Sequence, residues 1–198
     1  MAALVLASAS ATRRVMLERA GLTVITDALD LDERVIKDDC RARGLTAGDA
    51  ATQLAIAKAA RVAPRHPGDI VLGADQMLEC GGEWFDKPAD RAAATRQIGK
   101  LSGRTHTLFS AVAVVRDDAV IWRGLESAEL TVRALSAAFI ESYLDRIGEA
   151  ALSSVGGYQV EGLGIQLFDA IRGEHSTILG MPMIPLLGFL RDEGVIAG

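Results

Sequence analysis

An α/β fold follows from three features of the chain. A short apolar run, Ala3-Leu4-Val5-Leu6-Ala7, leads through a small polar turn into a helical segment and then a second strand. An alanine-rich helix over 46–63 delivers another buried run, Asp69-Ile70-Val71-Leu72-Gly73-Ala74-Asp75. Two long β-rich runs, 105–116 and 119–132, meet at Asp117-Asp118 as a hairpin between helical segments.

Each element has a local reason. The run 3–7 is continuously apolar, as a strand buried on both faces should be. Arg13 to Ala20 reads as a helix with Val15, Met16, Leu17 and Ala20 on its apolar face and Gly21 as its stop. Leu22 to Thr26 is expected to be a strand. Asp27 to Arg43 is highly charged without a clean period and is expected to be mostly loop. The helix 46–63 is closed by Pro64 and Pro67. Met77 to Phe85 reads as a hairpin turning at Gly81-Gly82, and Asp90 caps a helix running to Leu101. Ser136 caps a helix to Ile147. Gly156-Gly157 and the segment Gly162 to Gly164 bracket a loop, 165–168 is a short strand, and the last helix spans Pro182 to Glu193. No repeat or linker divides the 198 residues, so a single domain is expected.

Composition narrows the function classes. Hydrophobic residues at 49% and charged residues at 24% fit a globular chain. Aromatics at 5% leave the core to Ala, Val, Leu and Ile. A net charge of -5 argues against a nucleic-acid polymer as partner, which needs a basic surface, but leaves room for a local pocket for one phosphorylated ligand. Cys40 and Cys80 form no CxxC pair and are expected to be free thiols in a reducing compartment. The apolar N-terminal run lacks a basic flank, and the stretch 178–190 is short and broken by Pro182 and Pro185. A cytoplasmic location without a membrane partner is therefore expected.

Four groups of residues could carry chemistry. In the turn after the first strand, small residues let backbone N–H groups approach a ligand, and a helix N-terminus points at the same place. Ser8 and Ser10 add hydroxyls there, and Arg13 and Arg14 add forks suited to phosphate oxygens. The segment reads either as an anion cradle or as an ordinary βα connection with a solvated Arg pair. Asp75 ends a buried strand, where ligand sites of open α/β sheets gather; it suits metal binding or water activation, or else a turn. Asp30, Asp32 and Glu33 could hold a divalent cation or form a solvated charge run. Lys58 lies in an alanine-rich helix, where a lysine ordinarily faces solvent, and Lys87 precedes Pro88 in an extended segment able to project into a cleft. His66, His106 and His175 show no ligand spacing.

These segments together resemble the Maf family of nucleotide pyrophosphatases. The match runs through Leu6-Ala7-Ser8-Ala9-Ser10 with Arg13, Asp32-Glu33, Ala55 to Ala59, Gly73-Ala74-Asp75-Gln76 and Lys87-Pro88. It continues through Ser102 to His106, Gly157-Tyr158, Glu161-Gly162-Leu163-Gly164 and Gly180-Met181-Pro182. The resemblance implies an ITPase-like (Maf/Ham1-type) α/β fold, an elongated mixed sheet flanked by helices with two lobes around a central cleft. It implies hydrolysis of a nucleoside triphosphate to the monophosphate and pyrophosphate, with Mg²⁺ or Mn²⁺ as cofactor, and commonly a homodimer. By residue, it implies that Asp75 is the general base and Glu33 and Asp75 the metal carboxylates. Ser10, Arg13, Lys58 and Lys87 are implied as substrate contacts, and Ser8 and Arg14, from the same turn, are expected to join them. Ala11, Thr12 and Glu161 depart from the commonest family pattern. Gly-Ala-Asp-Gln with Glu-Gly-Leu-Gly is more similar to the subfamily acting on 7-methyl-GTP than to the one acting on dTTP and UTP. Glu161 could accept hydrogen bonds from a guanine edge, or it could satisfy backbone N–H groups of its own loop. A nucleotide-binding regulator of septum formation without turnover is the alternative from another class.

Overall fold

The computed structural model describes residues 2–197. Seven strands form one mixed sheet: β1 (Leu4–Leu6), β2 (Ile25–Thr26), β3 (Ile70–Cys80), β4 (Glu83–Phe85), β5 (Thr105–Arg116), β6 (Ala119–Val132) and β7 (Phe168–Arg172). Their order is β2-β1-β3-β5-β6-β7, with β4 on β3. β1 runs parallel to both neighbours, setting Val5 opposite Ile25 and Val71. β4 and β7 are antiparallel to β3 and β6. The helices are α1 (Ala11–Arg19), α2 (Glu33–Ala42), α3 (Ala47–Val62), α4 (Arg91–Leu101), α5 (Ala137–Ile147), the single turn α6 (His175–Ile178) and α7 (Met183–Asp192). The α/β class expected from the sequence is the class observed.

The chain divides into two compact units. The first holds the residues up to Gln76, Phe109–Glu126 and those from His175 onward; the second holds Met77–Leu108 and Ser127–Glu174. β3, β5 and β6 each contribute residues to both. No helix among the described residues is long and apolar enough to cross a membrane.

The first unit is organised by the two faces of β3. Ile70, Leu72 and Ala74 pack with Leu4, Leu6, Leu17 and, from the C-terminal segment, Met181, Leu186 and Leu190. Val71 faces the other way, with Val5, Ala7, Ala59 and Val62. This period of two, with each fully buried leucine contributing about 2 kcal/mol, fixes the strand's register.

Local chemistry explains the helix starts. The Ser10 hydroxyl accepts from the Arg13 N–H at the head of α1. Thr46 and Asp49 exchange side-chain and backbone bonds in a capping box that opens α3.

Four expectations fail. The strand expected to end at Asp75 continues to Cys80, because Leu78, Glu79 and Cys80 pair with β4. The segment 27–43 contains α2, not mainly loop. Its inner face is narrow, with Cys40 buried and Ile36 half-buried among charged neighbours, and Asp32 caps its start while Glu33 pairs with Lys37 one turn on. The second strand shrinks to Ile25–Thr26, because only these residues pair with β1. The strand expected at 165–168 is a 3-10 turn over Leu163–Leu167, and extended pairing begins at Phe168.

Candidate active site

The site forms where β1 leaves the sheet and β3 does not. The Ala7 N–H donates to the Leu72 carbonyl at 2.7 Å, and the chain then turns away through Ser8. Two residues further along β3, the Ala74 carbonyl faces the same edge with no strand beside it. Arg13 fills the gap: its Nη1 donates to the Ala74 carbonyl at 2.7 Å and to Ser8 Oγ at 3.3 Å. Its Nε donates to the Gly180 carbonyl at 3.0 Å. Ser8 Oγ also accepts from the Ser10 N–H at 3.2 Å. The guanidinium thus joins three chain segments, and Nη2 holds the donors left for a ligand. Burial pushes Arg13 below the ordinary arginine range, against the pull of Asp75 and Glu33.

Gly180 sits at φ +100°, a conformation that suits glycine. The turn carrying it is held from β3 and β5. Gln76 Nε2 donates to the Thr177 and Ile178 carbonyls at 3.2 and 3.0 Å and to Ser110 Oγ at 3.0 Å. Ser110 Oγ donates in turn to the Thr177 carbonyl at 2.7 Å.

The opposite face of β3 carries the carboxylates. Gly73 and Asp75 are two residues apart and point toward α3. A Cβ on Gly73 would lie 2.0 Å from the Ala55 carbonyl and 2.7 Å from the Ala59 nitrogen, so the missing side chain is what lets helix and strand come this close. One position before Ala59, Lys58 then reaches Asp75, with Nζ 2.5 Å from Oδ1. The same Nζ lies 2.7 Å from Glu33 Oε1 at the head of α2, and Glu33 Oε2 faces Lys37 at 3.4 Å.

The two carboxyls differ. Burial drives Asp75 above the ordinary aspartate range, and the Lys58 and Arg13 charges only partly offset this. Burial also acts upward on Glu33, but the bonds and charges of Lys58 and Lys37 outweigh it and hold Glu33 below the usual range. One carboxyl is thus made more basic, beside another kept firmly ionised.

The donor set fits Mg²⁺ or Mn²⁺. An ammonium already stands between the two carboxylates as a cation. A hard six-coordinate ion typically takes one or two carboxylates and completes its shell with substrate phosphates. Among the described residues no group of three or more His, Cys, Asp or Glu side chains could hold a metal, so Glu33 and Asp75 suit an ion shared with phosphate, not one caged by protein.

The family model described as Maf-like protein matches residues 3–193. This chain belongs to the Maf family. It is 52% identical over 195 residues to a nucleoside triphosphate pyrophosphatase of Rhodopseudomonas palustris, covering 98% of this chain and 95% of the relative. It is 49% identical over 195 residues to a 7-methyl-GTP pyrophosphatase of Brucella abortus, covering 98% of each. A solved nucleoside-triphosphatase / dITP/XTP pyrophosphatase from Mycobacterium abscessus has a TM-score of 0.46 at 15% identity, covering 98% of this chain and 99% of that one. That likeness is too distant to carry a functional argument.

Within this Maf protein, Ser8, Ser10, Arg13, Glu33, Lys58 and Asp75 all lie in the first unit. Arg14 faces outward along α1 in a pair with Glu18 at 3.8 Å, both about half exposed. Lys87 is exposed in the loop after β4, and Glu161 is exposed in a turn; both belong to the second unit. Glu161 has no hydrogen bond to the backbone of its loop among the described residues. Lys37, Ser110 and the Gln76–Thr177 bonds were not legible as site features. A signal existed only for Lys37, at the i,i+4 spacing from Glu33.

Proposed function

We propose that this protein hydrolyses nucleoside triphosphates to the monophosphate and pyrophosphate, with a modified guanine nucleotide such as 7-methyl-GTP as preferred substrate. Family membership and the names of the relatives support the reaction. The geometric observation that carries it is the Glu33–Lys58–Asp75 bridge, 2.7 and 2.5 Å long, beside an arginine fixed at the end of the parallel strands.

Phosphoryl transfer needs positioning and charge stabilisation more than covalent chemistry. Arg13 Nη2 and Lys58 bind phosphate oxygens and neutralise charge developing on the pyrophosphate. Ser8 and Ser10 fix the turn that holds Arg13. Asp75 takes the proton from a water aligned for in-line attack at the α-phosphorus, and its upward-shifted basicity suits that role. Glu33 and Asp75 would hold a divalent cation, which when bound supplies further neutralisation of the triphosphate. Lys87 is assigned to phosphate and Glu161 to the base, where a carboxylate accepts from the guanine N1–H and exocyclic amine and favours a cationic ring. The whole chain acts as one catalytic domain, in the cytoplasm and as a homodimer, the last read directly by sedimentation equilibrium.

Pyrophosphate release with Mg²⁺ or Mn²⁺ over 7-methyl-GTP, GTP, dTTP and UTP tests both levels. Asp75→Asn should lower turnover by about 10²–10⁴-fold. An unchanged rate removes Asp75 as base. A strong preference for dTTP or UTP overturns the substrate assignment and the role of Glu161. Nucleotide binding without turnover at any metal concentration overturns the hydrolase reading in favour of a regulator.

A further inference from the structure

The carboxylate pair that suits a divalent cation is engaged by this chain's own lysines. Lys58 Nζ sits 2.5 Å from Asp75 Oδ1 and 2.7 Å from Glu33 Oε1. Lys37 Nζ takes the other Glu33 oxygen at 3.4 Å. With Arg13 acting on Asp75 across Ala74, three side-chain cations oppose two carboxylates. A Mg²⁺ or Mn²⁺ ion binds carboxylate oxygens at about 2.0–2.2 Å and would draw on the same lone pairs as the ammonium. Two cations within a few ångströms of each other repel strongly in a site this sheltered.

We infer that Lys58 competes with the divalent cation for the Glu33–Asp75 pair, so that metal enters together with the triphosphate, whose oxygens draw the ammonium away. The inference rests on the pyrophosphatase reading for the identity of the anion, but the competition is a property of these residues alone. Lysine suits the exchange. It is a point charge on a flexible four-carbon stem, and its side chain here is 16% exposed. A triphosphate offers it several oxygens in return for two carboxylates.

The test is Mn²⁺ titration of the protein alone, following the free-ion signal by electron paramagnetic resonance. Wild type should bind weakly. Lys58→Met, of similar length without charge, should bind Mn²⁺ on the order of tenfold more tightly or better. Adding Asp75→Asn to that variant should abolish the gain. Equal or weaker binding by Lys58→Met overturns the inference, as does a gain that survives Asp75→Asn. Lys58→Met leaves two carboxylates facing each other, so melting is followed with and without Mn²⁺; a larger Mn²⁺-induced rise than in wild type supports competition. Lys58→Arg keeps the charge and should bind no more tightly than wild type, and a gain there also overturns the inference. The two readings fail separately: a Mn²⁺ gain in a protein without pyrophosphatase activity leaves this inference standing, and an active enzyme without the gain leaves only the functional reading.

Discussion

Asp75 and His106 are both almost fully buried, 5% and 1% exposed, yet one sits among charges and the other among neutral rings. In the first unit, Lys58, Glu33 and Arg13 surround Asp75. In the second, His106 Nε2 shares a 2.5 Å hydrogen bond with the Tyr158 hydroxyl, and Tyr158 packs edge-on to Phe168 at 4.9 Å. Tyr143 donates to the Gly157 carbonyl nearby, at 3.3 Å. Burial pushes His106 down to about 4 and moves both tyrosines upward, so every member of this cluster is neutral near neutral pH. Burial displaces titration in both places. The difference is that the first unit retains charge by pairing it, which is costly unless a charged ligand is to be met. A shifted pKa by itself therefore marks the interior, and paired charge on the buried strand β3 marks the candidate site.

Three substitutions probe that contrast, from the largest expected effect to the smallest. Gly73→Ala places a methyl 2.0 Å from the Ala55 carbonyl and must push α3 from β3. It should cost about 3 kcal/mol in thermal unfolding and remove most pyrophosphate release, because Lys58 moves with the helix. Full activity in a folded Gly73→Ala protein would separate the bridge from the chemistry. His106→Phe should cost about 1–3 kcal/mol by leaving the Tyr158 hydroxyl without its partner, while turnover per folded molecule holds at neutral pH. A collapse of turnover there would end the distinction between the two clusters.

The pH dependence sharpens the same case. The His106 pKa is depressed on folding, from 6.5 to about 4, so its stability contribution is complete above pH 6.5 and is lost as pH falls toward 4, because the unfolded chain takes up the proton first. Denaturant melts of wild type minus His106→Phe should show that slope, up to about 3 kcal/mol in all. The smallest effect belongs to Arg43→Ala. Its pair with Asp39 is more than half exposed on both sides, so the substitution should leave both the unfolding midpoint and turnover unchanged.

Much of the site was visible in residue order, and some of it could not be. The buried run leading to Asp75, the serine-rich turn after β1 and the arginine beside it all follow from patterns a few residues long, although β3 runs on through Asp75 to Cys80. α2 reads as a charged loop because its inner face holds only Ile36 and Cys40 between charged residues, a stripe too short to stand out in residue order. Lys58 was misjudged for a related reason. A lysine among alanines faces solvent unless something approaches that face, and what approaches is a strand 17 residues further on. Gln76 was visible as a residue, but its hold on Thr177 and Ile178 spans about a hundred positions and leaves no local trace.

The amino-acid sequence alone determined the α/β class, most of the strands and helices apart from α2, and the family, because hydrophobic period, caps and turn residues act over one or two turns of chain. Tertiary structure decided that Glu33, Lys58 and Asp75 are one bridge, that Arg14 is apart from Arg13, and that Arg13 completes the hydrogen bonding of a strand edge. Those outcomes depend on how closely a helix can lie on a strand. At Gly73 that closeness is set by the absence of a single methyl group, which acts only once the two elements have met.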